Sequence, residues 1–170
     1  MNSVTTYYLD MRSPEQLIEK TNANGLVVTE CKIKQFQFNR FLYQFVGAAW
    51  SWTDKLSWTD DQWKAFAEAD NLRTWVAYVE GSPAGYFELQ AQDNTSVELA
   101  YFGLAPNFLG KGMGGYLLSQ AIKMAWAWND PQRIWVHTCS LDHPHALRNY
   151  QARGFVVYNE ETTPVSSAES

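Results

Sequence analysis

The chain has 170 residues, of which 46% are hydrophobic, which is typical of one domain that buries a substantial core. Its formal net charge of −5, without a cluster of Lys and Arg, argues against nucleic-acid binding through a basic surface. No apolar run is long enough to cross a bilayer, and residues 1–6 lack the pattern of a secretory signal. With Cys31 and Cys139 as the two cysteines, we expect reduced thiols in a cytoplasmic protein with a single domain over 1–170.

The first part of the chain predicts an N-terminal strand followed by helices. Residues 5–10 alternate weakly and contain two tyrosines, so an extra strand is expected within the segment 1–12. Ser13 followed by Pro14 has the pattern of a helix start. The other elements predicted in this part are a strand over 26–33, an amphipathic helix over 37–46, and a helix that opens at a capping box on Thr59.

Antiparallel strands and a strand–helix alternation follow. Two strands are predicted over 74–79 and 83–90, joined by a hairpin turn at 80–82, and a buried strand over 96–104. The later elements are a helix whose buried face carries Leu117, Leu118, Ala121 and Ala125, a strand over 134–138, a helix over 144–153 and a strand over 155–158. Residues from about 161 to 170 are polar and are expected to fray. This order indicates an α+β layout with a mixed sheet.

The strand over 96–104 leads into a glycine-rich turn, Leu109-Gly110-Lys111-Gly112-Met113-Gly114-Gly115, that opens the next helix. Unpaired N–H groups and the dipole at a helix start favour an anion, and glycines let a ligand approach the backbone closely. The turn lacks the Ser or Thr that follows Gly-Lys in a P-loop, and no acidic residue stands where a dinucleotide fingerprint needs one. The spacing alone is equally compatible with a structural glycine turn that binds no ligand.

Two motifs together resemble those of the GNAT N-acetyltransferases. The turn resembles their acyl-coenzyme A (CoA) loop, Arg/Gln-x-x-Gly-x-Gly/Ala, with Gly112 and Gly114 in place and Leu109 instead of Arg or Gln. The second motif, Asn-x-x-Ala-x-x-x-Tyr-x-x-x-Gly-Phe, is matched by Ala146, Tyr150, Gly154 and Phe155, with His143 instead of the Asn. The resemblance covers 97–155 and implies the GNAT fold, an α+β domain whose central, mixed and mostly antiparallel sheet has helices on both faces. That fold usually has a further C-terminal strand, which we expect residues 5–10 to supply, in the same subunit or a partner.

The resemblance implies acetyl transfer from acetyl-CoA to a primary amine by direct attack in a ternary complex, with CoA as product. The residues it places at the cofactor are Phe102, Gly103 and Leu104 in the strand, and Leu109, Gly110, Lys111, Gly112, Met113, Gly114 and Gly115 in the turn. Tyr150 is implied as the general acid that protonates the departing thiolate. The alternative for Tyr150 is packing against the cofactor arm or in the core.

Glu98 stands where some family members, such as histone acetyltransferases, carry a catalytic glutamate, which makes it the candidate base. A salt-bridged or solvent-facing strand residue is the alternative. Glu88 is the second candidate for the base and, with Trp50 and Trp52, is expected at the acceptor site, because aromatic rings beside acidic groups hold a cationic amine. The tryptophans are otherwise core residues or part of a subunit interface, and a homodimer is possible.

Three histidines and a cysteine, His137, His143, His145 and Cys139, are not expected to bind a metal, because they divide between a strand and a helix start. The rival hypothesis is a non-catalytic GNAT-fold module that binds acyl-CoA as a sensor or scaffold; a third is an interaction domain with no ligand. The acceptor stays open among small amines, amino acids, aminoglycosides, peptide N-termini and protein lysines. No nucleic acid or membrane is expected as a partner.

Overall fold

A seven-stranded sheet organises the residues that the computed structural model describes, 2–93 and 95–164. In chain order its strands are β1 (Ser3–Met11), β2 (Leu26–Glu30), β3 (Leu72–Val79), β4 (Ser82–Gln92), β5 (Ser96–Leu104), β6 (Arg133–Cys139) and β7 (Val156–Pro164). Their order across the sheet is β2-β3-β4-β5-β6-β1-β7. Strands β5 and β6 run parallel and the other neighbouring pairs run antiparallel, so the predicted mixed, mostly antiparallel sheet is confirmed.

Helices pack on both faces of the sheet, as expected: α1 (Phe36–Gly47), α2 (Asp60–Ala67), α3 (Gly114–Trp126) and α4 (Ala146–Ala152). Alternation along the central strands explains the two layers, because successive side chains point to opposite faces. Tyr86 packs in a cluster with Leu42 of α1, whereas the next residue, Phe87, packs in the cluster that contains Leu117 of α3. None of the described helices combines the length and the apolar character needed to span a membrane.

The N-terminal strand lies inside the sheet, between β6 and β7, and is antiparallel to both. Residues 6–11 pair with 134–139, so the expected extra strand is present and pairs within the same chain. Leu9 and Met11 on this strand are fully buried. The C-terminal strand is longer than predicted, since residues 161–164 pair with 3–6. The expectation of a frayed end is therefore wrong for 161–164, and the remaining residues, 165–170, lie outside the described part.

The prediction of a helix that begins at Ser13 is wrong. A single 3-10 turn forms over Pro14–Gln16, and the chain then runs alongside α3 and α4. The reason is that its backbone groups bond to other elements instead of to a following helical turn. The N–H of Ile18 donates to the carbonyl of Arg153 at 2.9 Å, and the N–H of Lys20 donates to Ser119 Oγ at 2.9 Å.

The two parallel strands separate after a short pairing, and this separation positions the site. Residues 96–98 of β5 pair with 133–135 of β6. Beyond that point Ala100 is an extra residue in β5, opposite the step from Glu88 to Leu89 in β4. Such a bulge bends the strand that carries it. The second half of β5 therefore keeps β4 as its partner on one side and presents a free strand edge to the gap on the other.

Candidate active site

The glycine-rich turn lies at one end of the gap, at the start of α3. Gly110 and Gly112 have φ values of +72° and +77°, in the left-handed region that favours glycine. Asn24 Nδ2 donates a hydrogen bond to the carbonyl of Gly112 at 3.0 Å and so anchors the turn. Met113 is the N-cap of α3 and provides no side-chain cap, so the first turn of the helix begins with free N–H donors. Such donors, together with the helix dipole, favour an anionic group.

A cleft of about 430 Å³ runs from this turn along β5 to α4. The predicted cofactor residues that line it are Phe102, Gly103, Leu104, Leu109, Gly110, Gly112, Met113 and Gly114. Lys111 and Gly115 fall outside the lining. Lys111 Nζ lies over the ring of Phe108, 5.8 Å from its centroid, and Gly115 lies against the guanidinium of Arg153. Asn149 Nδ2 of α4 donates to the carbonyl of Gly114 at 3.1 Å and ties α4 to the start of α3.

A second cleft of about 480 Å³ lies between the loop that joins α1 to α2 and strand β6. The residues that border both clefts are Trp50, Trp52, Phe102, Asp142 and Tyr150. The second cleft also contains Glu98, and its remaining polar lining includes Asp54, Lys55, Gln90 and His137. The two clefts therefore meet at an aromatic junction, with the glycine turn on one side and a carboxylate on the other.

Tyr150 occupies that junction. Its ring centroid lies 6.0 Å from that of Phe102 and 5.9 Å from that of Phe155, and the residue is only 4% exposed. Burial raises the pKa of the Tyr150 phenol, because desolvation disfavours the phenolate. The hydroxyl therefore stays protonated at neutral pH.

Glu98 lies in the second cleft and is held by two side chains. Gln92 Nε2 donates to Glu98 Oε1 at 2.8 Å, and His137 Nδ1 lies 3.4 Å from Glu98 Oε2. The hydrogen bond to Glu98 raises the pKa of His137 against the opposing effect of burial. The His137 ring packs between Tyr8 and Trp135, at centroid distances of 5.9 and 6.0 Å. The sequence did not predict this pairing, since it depends on the register between two strands distant in the chain.

Glu88 lies in the interior instead of on either cleft. It is 1% exposed, and Asn39 Nδ2 donates both to its Oε1 at 2.8 Å and to Thr74 Oγ1 at 2.9 Å. Its Oε2 is buried and has no hydrogen-bond partner among the described residues. Desolvation raises the pKa of Glu88 from 4.5 to about 7. The structure thus separates the two predicted glutamates, with Glu98 on the second cleft and Glu88 in the interior.

The tryptophan-rich loop contributes to both clefts and to the core. The Trp50 ring lies 4.7 Å from that of His143, just before α4, so the loop spans the gap. The Trp52 ring packs 5.3 Å from that of Tyr101. Trp58, further along the loop, lies 5.4 Å from the buried Trp63.

The segment before α4 contains His143, His145 and one site residue that the sequence did not single out, Asp142. Asp142 borders both clefts, where it accepts hydrogen bonds from Thr138 Oγ1 at 3.1 Å and from the N–H of His143 at 2.8 Å. His143 Nδ1 accepts from the N–H of His145 at 3.0 Å, and burial lowers the pKa of His143. Within residues 2–93 and 95–164, no group of three His, Cys, Asp or Glu side chains is placed to hold a metal.

The site thus combines a mixed sheet that opens between two parallel strands with a glycine turn at the start of the helix after the first of them. The profile of the acetyltransferase (GNAT) family matches residues 36–155, and the chain belongs to that family. No curated protein matches the chain significantly.

Solved structures agree on the fold. A GCN5-related N-acetyltransferase from Kribbella flavida is 17% identical with a TM-score of 0.65, over 97% of this chain and 60% of that one. Another, from Sphaerobacter thermophilus, is 13% identical with a TM-score of 0.69, over 94% of this chain and 50% of that one. An aminoglycoside acetyltransferase from an uncultured soil metagenomic sample, in complex with trehalose, is 15% identical with a TM-score of 0.61, over 76% of this chain and 88% of that one. This chain thus spans 50–60% of the length of the first two proteins.

Proposed function

We propose that this protein is an N-acetyltransferase that moves an acetyl group from acetyl-CoA to a primary amine of a small molecule or peptide, by direct attack in a ternary complex. The observation that carries the proposal is the meeting of two clefts at Tyr150. One cleft contains a glycine turn suited to phosphate, and the other contains Glu98 paired with His137. We place the reaction in the cytoplasm, in keeping with the free thiols of Cys31 and Cys139.

The residues of the first cleft fit acetyl-CoA. The free N–H groups at the start of α3 suit a pyrophosphate, and the free edge of β5 at Phe102, Gly103 and Leu104 suits the amides of a pantetheine arm. Backbone donors need no side chain, so Leu109 at the place of the family's Arg or Gln is compatible with phosphate binding. When bound, acetyl-CoA supplies a thioester, an acetyl group activated for attack by an amine.

Two groups of the protein handle protons in this proposal. The pair of Glu98 and His137 accepts a proton from the acceptor's ammonium, directly or through water, because a carboxylate beside an imidazole stabilises the added charge. Tyr150 holds the proton that the leaving thiolate needs. Positioned acids and bases of this kind contribute roughly 10²–10⁴-fold each to a rate.

The first test is thermal unfolding with acetyl-CoA, CoA and, as a control, NAD. A ligand present at a hundred times its Kd stabilises the folded state by about 2.7 kcal/mol. We expect a rise in Tm with the two CoA ligands and none with NAD, followed by amine-dependent thiol release in a panel of primary amines. Equal behaviour with all three nucleotides would contradict acyl-CoA binding.

A non-catalytic acyl-CoA-binding module is the second candidate, favoured by Leu109 and His143, which replace two residues of the motifs. It predicts the same rise in Tm with CoA ligands but no thiol release with any amine. The two measurements together therefore distinguish the enzyme from the sensor.

A further inference from the structure

The second cleft contains a lysine whose ammonium lies within an aromatic cage. Lys55 Nζ is 4.2 Å from the ring centroid of Trp58, 4.9 Å from that of Phe66 and 5.1 Å from that of Tyr101. The cage draws on the α1–α2 loop, α2 and β5, so the fold builds it from three separate elements. Aromatic faces at these distances stabilise a cation.

The cage leaves the hydrogen-bonding capacity of this ammonium unused. Aromatic rings attract the charge but do not accept all three N–H bonds as oxygen atoms would. None of the ion pairs in the described part of the chain involves Lys55. The nearby carboxylate of Asp54 instead accepts a hydrogen bond from Tyr101 Oη at 3.3 Å. Lys55 is half-buried and borders the second cleft, so its ammonium is accessible from that cleft.

We infer that Lys55 binds a carboxylate of the acceptor, and that the substrates are amines that also carry a carboxylate, as amino acids do. This inference rests on the proposed function. The carboxylates of Asp54, Glu98 and Asp142 line the cleft and attract the amine, and Lys55 lies among the lining residues as a positive group for the carboxylate. Charge-assisted hydrogen bonds between an ammonium and a carboxylate are stronger than neutral ones.

A second ammonium group cannot use the aromatic cage in the same way. The aromatic cage that would take a second ammonium is already filled by Lys55, and two ammonium groups at one site repel each other. At the cage, the Lys55 charge therefore favours a carboxylate of the acceptor over a second ammonium group.

The experiment compares matched acceptors in a thiol-release assay with acetyl-CoA. Each set contains an amino acid, its carboxamide and the amine that lacks the carboxyl group. We expect kcat/KM to be at least tenfold higher for the amino acid in the sets that react. The variant Lys55→Met keeps most of the side-chain stem but removes the charge, and we expect it to lose that preference, mainly through KM. Lys55→Arg keeps the charge and is expected to retain part of the preference.

Lys64→Met is the matched control, because Lys64 is an exposed lysine of the adjacent helix α2 outside both clefts. It should behave as the wild type. Thermal unfolding with CoA shows whether Lys55→Met still folds and binds the cofactor. Equal kcat/KM within the sets, or a uniform loss for all acceptors in Lys55→Met, would overturn the inference while leaving acetyl transfer intact.

A second readout does not depend on turnover. N-acetyl amino acids and their amides are added to the protein in the presence of CoA, and Tm is measured. We expect the carboxylates to raise Tm more than the amides do in the wild type and in Lys64→Met. In Lys55→Met we expect carboxylates and amides to raise Tm by the same amount. Equal Tm shifts for carboxylates and amides in the wild type would overturn the inference, whether or not any amine is acetylated. A failure to acetylate any amine would by itself overturn only the proposed function.

Discussion

Glu98 and His137 lie on adjacent parallel strands, and their side chains meet on the second cleft, with His137 Nδ1 3.4 Å from Glu98 Oε2. The carboxylate of Glu98 stabilises the protonated imidazole, so the pKa of His137 depends on it. Asp54, Asp142 and Tyr8 also face this imidazole, and the two aspartates add to the rise in its pKa.

The first prediction concerns this pair. Glu98→Gln removes the carboxylate that raises the pKa of His137, so the imidazole should titrate at lower pH. NMR titration of the histidine ring signals measures this directly. His143 is the internal control, because it packs against Trp50 and is not paired with Glu98. An unchanged His137 titration in Glu98→Gln would show that the two groups are not coupled.

Activity distinguishes which member of the pair accepts the proton. If His137 is the group that accepts the proton, Glu98→Gln moves the acid limb of the pH profile of kcat/KM to lower pH, and His137→Gln removes that limb. If Glu98 is the group that accepts the proton, Glu98→Gln lowers kcat by roughly 10²–10⁴-fold at every pH.

The second prediction concerns Tyr150. Tyr150→Phe keeps the ring contacts with Phe102 and Phe155 but removes the hydroxyl, so kcat should fall by roughly 10²-fold or more while the Tm shift with CoA stays the same. Tyr78→Phe, on β3 outside both clefts, is the control for loss of a hydroxyl. Wild-type kcat in Tyr150→Phe would exclude the general-acid role and favour a packing role.

The third prediction concerns Glu88 and the stability of the fold. Because its pKa is raised in the folded state, the folded protein binds a proton that the unfolded chain has lost between pH 4.5 and about 7. The free energy of unfolding therefore falls as pH rises through this window. One pKa unit corresponds to about 1.4 kcal/mol, so the loss at pH 8 is on the order of 3 kcal/mol.

Glu88→Gln removes the buried charge, and its side-chain oxygen still accepts from Asn39 Nδ2. We expect the variant to be more stable than the wild type at pH 8 and close to it at pH 4.5, measured by denaturant unfolding. Glu160→Gln, an exposed carboxylate on β7, should leave the pH dependence unchanged. A wild-type stability that does not fall between pH 5 and 8 would contradict the assignment.

The fourth prediction compares two glycines of the turn. Gly110→Ala and Gly112→Ala both place a side chain at a positive φ, at a cost of about 1 kcal/mol each. A Cβ on Gly110 meets no atom within 4 Å, whereas one on Gly112 would lie 2.9 Å from Asn24 Nδ2. We therefore expect Gly112→Ala to lose the Asn24 hydrogen bond as well, roughly another 1 kcal/mol. Thermal unfolding measures the difference, and equal Tm values for the two variants would contradict the role of Asn24.

Local patterns accounted for much of this fold. The strand predicted over 96–104 has those bounds in the structure, and the capping box at Thr59 forms with both of its hydrogen bonds. The glycine turn occurs where its spacing indicated. The prediction failed after Pro14. The pattern of a helix start is present there, but no helix forms because the backbone that follows bonds to α3 and α4.

The site depended more on tertiary contacts. Trp50 and Trp52 border both clefts. Nothing local in the sequence distinguishes Glu88 in the interior from Glu98 on the second cleft. The two glutamates differ because of their tertiary surroundings. Asn39 of α1 lies over Glu88, whereas the gap beside β5 opens next to Glu98.

Apart from the helix predicted after Ser13, the sequence by itself determined the order of helices and strands, the glycine turn and the family motifs. These depend on side-chain spacing and backbone preferences within a few residues. Only the tertiary structure decided that β1 lies between β6 and β7, that Glu98 pairs with His137, and that Lys55 occupies an aromatic cage. Those relationships join residues far apart in the chain, and the packing of the whole sheet and its helices selects them.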